Sequence, residues 1–215
     1  ACTTTTVTPS VLALPSLGPP AKEMTFGIRT GPRVADDERA LTAGTLQSDR
    51  PLIMPPELGV AFDFAASLPM GDALRLHLLA QAEVFFGLPL PAIGLGVGLS
   101  YRQQFGLLHL IPAISLRGGT DFGLSPFSTP TSRFSLTPEA SLFIGTCDST
   151  TAFGLIPFVA LSNQLGGTSD RTFFMWGAVG AVRSGRFTFT DGFARVRLTA
   201  GDISVPLLGL QVGSQ

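Results

Sequence analysis

Residues 72–86, DALRLHLLAQAEVFF, are the stretch that decides the fold, because apolar and polar side chains alternate along it. Successive side chains of a β-strand point to opposite faces of the sheet, so one face would carry the apolar residues from Leu74 to Phe86. The other face would carry mostly polar residues, which include Arg75, His77, Gln81 and Glu83. Leu74, Leu78 and Ala82 also recur at helical spacing, and these residue types favour helices. This stretch alone therefore leaves strand and helix open.

Alternate glycines in the next segment, residues 92–104, favour a strand. Gly94, Gly96 and Gly98 share one parity, while the other parity is apolar from Ile93 onward. A helix gains nothing from glycine at every second position, whereas the inner face of a narrow closed sheet has little room for side chains. We therefore interpret residues 72–86 and 92–104 as neighbouring strands.

The same alternation predicts strands along most of the chain. The further predicted strands are residues 22–31, 57–69, 107–117, 133–145, 152–162, 172–183 and 187–200, with 202–212 either a tenth strand or a tail. Short connections are expected at 69–72, 87–91, 104–106, 147–151 and 184–185, and long ones at 32–56, 118–132 and 163–171. Pro112, Pro138 and Pro157 lie inside strands, so each requires a bulge or a missing hydrogen bond. Near Asp191 and Gly192 we expect the side-chain parity to break at a bulge.

The composition is poor in charge for a chain of this length. Charged residues make up 13% and apolar residues 45% of the 215 residues, with 25 glycines and 17 prolines. The formal net charge of −1 supplies no strong field for nucleic acid, so no nucleic-acid partner is expected. The sequence contains no uninterrupted apolar run of about 18 residues, so we expect no transmembrane helix.

A transmembrane β-barrel typically has strands with one apolar face, and these strands are joined by short turns at one end and by long loops at the other. In lipid every backbone polar group needs a partner, and a closed sheet supplies one for each. We therefore predict an all-β fold, a closed antiparallel up-and-down transmembrane β-barrel of about 8–10 strands, over residues 22–212. The alternative is a soluble secreted β-sandwich or lipocalin-like binder, whose outer polar face would carry many more charges.

These features resemble the small outer-membrane β-barrel proteins of Gram-negative bacteria, the OmpA/OmpX-like group. The resemblance is one of architecture over residues 22–200 and includes no specific motif. It implies the bacterial outer membrane, short periplasmic turns and longer outer loops. Two departures are the single Trp176 and single Tyr101, where such barrels carry aromatic girdles, and the ending VGSQ, where they tend to end in an aromatic residue. We expect a removed signal peptide and an extended periplasmic tether over residues 1–21.

The polar face would form a charged network inside the barrel. Its expected members are Glu23, Arg29, Asp63, Arg75, His77, Glu83, Arg102, His109, Arg117, Arg133, Glu139, Arg195 and Arg197. Charges in a narrow interior must pair or be hydrated. One reading is a paired network that fills the interior. The other is a narrow channel for small solutes with a mild anion preference, because cations are in excess.

Catalytic and metal-binding patterns are lacking in the sequence. Some outer-membrane lipid hydrolases use a His-x-Ser pair on a strand, but the residues two positions after His77 and His109 are Leu79 and Ile111. No GxSxG, HExxH, phosphate loop or CxxC is present. We therefore expect no enzyme activity, no cofactor and no metal site.

The two cysteines, Cys2 and Cys147, are the remaining candidates for chemistry. Cys147 falls in a short turn, and a tether starting at the same rim could bring Cys2 to it, so an oxidising compartment would favour a disulfide. A small residue, Ala1, precedes Cys2, so Cys2 could instead be the lipidated cysteine of a lipoprotein. Two free thiols are the third alternative.

The expected role is structural, adhesive or partner-binding. The barrel would contact outer-membrane lipid through its wall. It could bind another envelope protein through the loops at 32–56 and 118–132.

Overall fold

The computed structural model describes residues 2–6, 23–37, 57–85, 92–123, 131–148, 150–165, 171–198 and 201–214. These residues form twelve strands. The strands are β1 (Cys2–Thr6), β2 (Glu23–Asp37), β3 (Glu57–Pro69), β4 (Leu74–Phe85), β5 (Ala92–Tyr101), β6 (Gln103–Phe105), β7 (Leu108–Gly123), β8 (Thr131–Cys147), β9 (Thr151–Leu165), β10 (Arg171–Ser184), β11 (Phe187–Leu198) and β12 (Gly201–Gly213). Among the described residues no helix is long and apolar enough to cross a bilayer.

The sheet closes on itself as an antiparallel barrel. The barrel has ten strand positions, here called staves, because β5 and β6 share one position and β1 only pairs with the end of β2. Each stave pairs with its neighbours along the chain, and β2 pairs with both β3 and β12. The segments β5 and β6 form a single stave that is interrupted at Arg102 and pairs with β7 on both sides of the interruption. The predicted closed barrel is confirmed, and residues 202–212, left open between strand and tail, belong to the closing strand β12.

The register fixes the slope of the strands. Following paired residues from Glu23 through each neighbouring strand leads to Ile203 of β12. Extending the β12–β2 register from there returns to β2 at Ala35, twelve residues beyond Glu23. Ten strands with this stagger tilt by about 40° from the barrel axis, within the range of closed barrels.

The outer wall of the barrel is apolar, which suits contact with lipid. Leu95 and Phe153 expose 66% and 68% of their surfaces, and the row from Leu74 to Val84 on β4 faces outward as predicted. Along the same strands the side chains of opposite parity are buried inside. This alternation around a closed sheet is that of a membrane-spanning barrel.

Each proline inside a strand coincides with an interruption of the hydrogen-bond ladder, as the sequence requires. Within β8 and β9 the register skips the pairs at Pro138 and at Pro157. Pro112 lies opposite the point where β5 breaks, and there the Arg102 amide donates instead to the Ala73 carbonyl at 2.9 Å. Proline thus stands only where a ladder donor can be lost.

The expected bulge at Asp191 and Gly192 is absent from the described strand β11. Its pairs with β10 and β12 run continuously through both residues. The side-chain parity therefore does not change along β11. Phe187, Phe189 and Phe193 all face outward, and the inward parity continues to the end of the strand.

The two rims differ in their connections, although strands occupy part of the predicted long loops. At the first rim, here called the short-turn rim, tight turns follow β3, β6, β8 and β10, and two of them use Gly106 and Gly185 with positive φ values of 63° and 59°. At the other, the long-loop rim, β2 extends to Asp37 and β7 to Gly123. The remainder of the predicted loops, residues 38–56 and 124–130, lies outside the described residues.

Five residues of the segment predicted as an extended tether form a strand. Residues 2–6 form β1, whose partners are residues 33–37 of β2 at the long-loop rim. Residues 7–22 lie outside the described residues. The register places Cys2 beside Asp37, whereas Cys147 ends β8 at the short-turn rim. A disulfide needs Cα atoms within about 7 Å, so the structure does not bring these two cysteines together.

Gly154 is a site where the wall admits no side chain. A Cβ there would lie 2.6 Å from the Ile144 carbonyl oxygen and 2.6 Å from the Phe143 ring. We expect Gly154→Ala to lower the unfolding free energy by about 1–3 kcal/mol, because overpacking forces the neighbouring backbone to shift. Gly180→Ala is the matched control, since its Cβ would approach nothing closer than 3.5 Å. Equal urea-unfolding midpoints for the two variants would contradict this account.

Asp148 holds the turn between β8 and β9. Its carboxylate accepts hydrogen bonds from the Thr151 hydroxyl at 2.7 Å, the Thr151 amide at 2.6 Å and the Thr150 amide at 2.8 Å. These bonds, led by the Thr151 hydroxyl, lower the pKa of Asp148 to about 2. A depressed carboxyl pKa stabilises the fold above its ordinary value and loses that effect as the pH falls towards 2. Between pH 4 and 2, about the window these values define, we expect the wild type to lose more stability than Asp148→Asn, measured by urea unfolding.

Candidate functional site

The interior of the barrel has a polar half and an apolar half. The inward side chains of β2–β5, β7 and β8 are mostly polar or small, except that Ile111 of β7 and Phe143 of β8 pack in the apolar half. The inward side chains of β9–β12 are mostly apolar and include Ile156, Phe158, Met175, Val179, Val196, Val205 and Leu207. The apolar half was not predicted. Its signal is the segment 173–182, FFMWGAVGAV, which is apolar at both parities and so suits a strand buried on both faces.

An ion pair between β2 and β3 is the best-defined contact of the polar half. The Arg29 guanidinium donates to both carboxylate oxygens of Asp63, at 2.5 and 3.0 Å. The register pairs Arg29 with Ala61 and Asp63 with Gly27, so the two side chains are diagonal neighbours on the inner face. Both side chains are almost fully buried. A bidentate, buried pair of this kind fixes the relative position of its two strands.

A chain of hydrogen bonds runs over the inner face of β5, from β4 to β7. The Gln81 amide donates to Glu83, and Arg117 of β7 donates to the Gln81 amide oxygen. The strand between them, β5, carries the alternate glycines, and a Cβ on Gly94 or Gly96 would lie 3.3 Å from the Arg117 side chain. The glycines therefore leave the space in which the Arg117 side chain crosses β5. The sequence predicted that side chains have little room at these positions, and the Arg117 side chain is the reason.

His77 lies between two serines from the adjacent strands. Its Nδ1 is 2.8 Å from the Ser67 hydroxyl, and its Nε2 is 2.7 Å from the Ser100 hydroxyl. A histidine beside a serine is an arrangement that can activate a nucleophile. Here the His77 side chain is 0% exposed and both serines are buried, so this conformation offers no substrate access to the pair. The contacts join β3, β4 and β5 across their inner faces.

A second group of charges lies inside the short-turn rim. Arg183 of β10 pairs with Glu23 of β2 at 3.6 Å, and its Nε also donates to the Gly185 carbonyl at 3.0 Å. Arg102 donates to Nδ1 of His109 at 3.2 Å, which makes that ring nitrogen the acceptor. Arg183 was absent from the predicted network. Alternation does not identify it, because residues 173–182 of its strand are apolar at both parities.

Most of the predicted network residues are brought together inside the barrel. Glu23, Arg29, Asp63, Arg75, His77, Glu83, His109 and Glu139 are buried, and Arg102 and Arg117 are half-buried. The side chain of Arg133 lies outside the described set. Two described residues, Arg195 and Arg197, do not belong to the network.

Arg195 and Arg197 lie on the outer wall, so the prediction that they face inward is wrong. The cause is the bulge that β11 lacks: with the register continuous, Ala194 and Val196 take the inward positions. The guanidinium of Arg195 lies 5.1 Å from the ring centroid of Trp176 on β10. Nε of Arg197 is 3.3 Å from an Asp202 carboxylate oxygen on β12.

The described residues contain no group of three or more His, Cys, Asp or Glu side chains placed to hold a metal ion. Cys147 is half-buried at the end of β8. The polar interior is thus built from ion pairs and hydroxyl contacts between strands. The contacts of this polar interior hold strands together.

Comparisons with known proteins give fold-level likeness alone. No family model and no curated protein sequence matches the chain. Among solved structures, LpxR from Salmonella typhimurium has 9% identity and a TM-score of 0.42, covering 88% of this chain and 99% of that one. A chain from a study of the in-meso crystallization of membrane proteins has 10% identity and a TM-score of 0.39, covering 91% of this chain and 84% of that one. The assignment of a membrane barrel rests on the closed sheet and its apolar wall.

The Arg29–Asp63 pair can be tested with a double-mutant cycle. We expect Arg29→Met and Asp63→Leu each to lower the unfolding free energy by about 3–5 kcal/mol, because each leaves a buried charge behind. The double variant should recover most of that loss. The exposed pair of Arg197 and Asp202 is the control, and its single variants should change stability by about 1 kcal/mol or less. Urea unfolding in detergent measures both cycles, and additive losses at Arg29 and Asp63 would refute the pairing.

Proposed function

We propose that this chain is an outer-membrane β-barrel whose interior is filled, and which has a structural, adhesive or partner-binding role rather than that of a pore. The observation that carries the proposal is the burial of the interior charges. Arg29, Asp63, His77 and Glu83 are each less than 9% exposed although all four point into the barrel. A water-filled channel would leave such groups hydrated.

The filling comes from both halves of the interior. On the polar side, long side chains reach over the strand between them, as Arg117 of β7 does over β5 to Gln81 of β4. On the apolar side, Phe143 and Ile156 belong to one packed cluster that reaches Val179 and Leu207. A ten-stranded barrel is wide enough to enclose some free space. The interior side chains that occupy this space are therefore what opposes a channel, and not the number of strands.

The long-loop rim is the surface through which such a barrel would act. The predicted loops at 32–56 and 118–132 join staves at that rim, and β2 and β7 extend into them. Binding residues are often found on loops held by a rigid scaffold. We assign these two loops the contact with another envelope protein, and the apolar wall the contact with outer-membrane lipid.

The role is proposed to be non-enzymatic. The arrangement nearest to a catalytic pair, His77 with Ser67 or Ser100, is sealed from solvent. General base catalysis needs the base within reach of a bound substrate. The proposed role therefore depends on surfaces and not on the interior.

Conductance in planar bilayers tests the filled interior. We expect the reconstituted protein to give no steady ion current, because no continuous hydrated path crosses a network of buried, paired charges. Heat-modifiable migration on gels should first show that the sample contains folded barrel. A steady current with a mild anion preference would replace the proposal with the channel, and a folded sample soluble without detergent would overturn the membrane assignment.

A further inference from the structure

The outward side chains of β11 change from apolar to charged along the strand. The row runs from Phe187 and Phe189 near the short-turn rim, through Asp191 and Phe193, to Arg195 and Arg197 near the long-loop rim. The outward row of β10 is apolar from Phe174 to Val182. The outward row of β12 begins with Asp202 and Ser204, which stand beside the two arginines. Two arginines, an aspartate and a serine therefore lie together at the long-loop end of β11 and the start of β12.

The position of the arginines on the strand decides where they sit in a bilayer. A lipid-facing arginine costs about 2–4 kcal/mol at the bilayer midplane and about 0–1 kcal/mol near the interface. Arg197 and Arg195 are one and three residues from Leu198, where β11 ends. The cost of burial therefore places this end of β11 at the level of the lipid headgroups.

Trp176 is an independent marker of the same level. It lies on β10 directly across from Arg195 in the register, and the guanidinium of Arg195 stands over its ring. Tryptophan concentrates where the hydrocarbon meets the headgroups of a bilayer. The ring also orients the guanidinium by a cation–π contact, so Arg195 has a defined direction on an otherwise open wall.

Both arginines keep the capacity to bind an anion. A guanidinium has five N–H donors, and the contact from Arg197 to Asp202 uses Nε. The side chain of Arg197 is 65% exposed and that of Asp202 is 36% exposed. Among the described side chains of this cluster, two cations therefore stand against one anion. Asp191 lies four residues nearer the short-turn rim, about 13 Å along the strand, and so outside the cluster.

We propose that Arg195 and Arg197 form a binding site for the phosphate of a lipid headgroup in the leaflet at the long-loop rim. The planar guanidinium matches two phosphate oxygens, and the excess positive charge complements the anion. Trp176 and Phe193 would contact the upper part of the acyl chains. The site does not depend on whether the interior of the barrel conducts, so its test is separate from the conductance measurement.

The single tryptophan of the chain makes the site directly measurable. In vesicles, lipids with brominated chains quench Trp176 in proportion to their occupancy beside it. We expect brominated phosphatidic acid to quench more strongly than brominated phosphatidylcholine at equal mole fraction. Arg195→Gln should reduce this preference at least about tenfold, because a hydrogen bond to a charged group contributes about 1.5–3 kcal/mol. Arg197→Gln should reduce it less, since Asp202 already engages Arg197.

Arg186→Gln is the matched control, because Arg186 is exposed in the turn at the opposite rim. It removes the same charge and should leave the preference unchanged. Heat-modifiable migration verifies that each variant folds. Equal quenching by the two lipids in the wild type, or an unchanged preference in Arg195→Gln, would overturn the site. Complete reversal of the preference by millimolar inorganic phosphate would reassign it to a soluble anion and overturn the lipid assignment.

Discussion

Backbone hydrogen bonding without water is the constraint on which the rest of this structure depends. In hydrocarbon each unpaired N–H or C=O costs several kcal/mol, so the sheet has to close and each stave must reach two neighbours. The places where pairing fails are therefore informative. Within the described staves several of them coincide with proline, and at one a side chain substitutes for the backbone. At the seam between β2 and β12, the Thr30 hydroxyl donates to the Pro206 carbonyl at 3.4 Å and accepts from the Leu208 amide at 3.1 Å.

The closed wall also explains why the interior is uneven. Inside the barrel the side chains pack in two ways. The strands before β9 present charges that pair with nearby strands, and the later strands supply most of a small hydrophobic core. Arg117 needs the glycines of β5 to cross the polar side, whereas Phe143 reaches over Gly145 and Gly154 on the apolar side. In both cases glycines make room for a long side chain, on β5 for Arg117 and on β8 and β9 for Phe143.

Much of this could be predicted from the sequence, because a period of two is a local signal. The alternation in 72–86 and the glycines at 94–98 identified the strands, their inner faces and most of the charged interior. The orientation of Arg195 and Arg197 could not be predicted, because Asp191 and Gly192 look like a bulge and one inserted residue reverses all that follows. The pairing of β1 with β2 and the stagger of the barrel depend on contacts between distant residues, which periodicity does not encode. Arg183 was missed because its strand is apolar on both faces, so parity gave no contrast there.

The seam between the first and last barrel strands sets a condition on how the protein reaches its native state. Its paired residues are 25–29 on β2 and 209–213 on β12, nearly the whole length of the chain apart. Every other adjacent pair of staves is connected by a single turn or loop, so its hydrogen bonds can form between strands that are consecutive in the sequence. Closing the seam must instead overcome the largest loop-closure entropy in the molecule, for a short run of hydrogen bonds. We therefore expect ring closure to be the slow event in folding, with both edge strands open to pairing with another chain until it occurs.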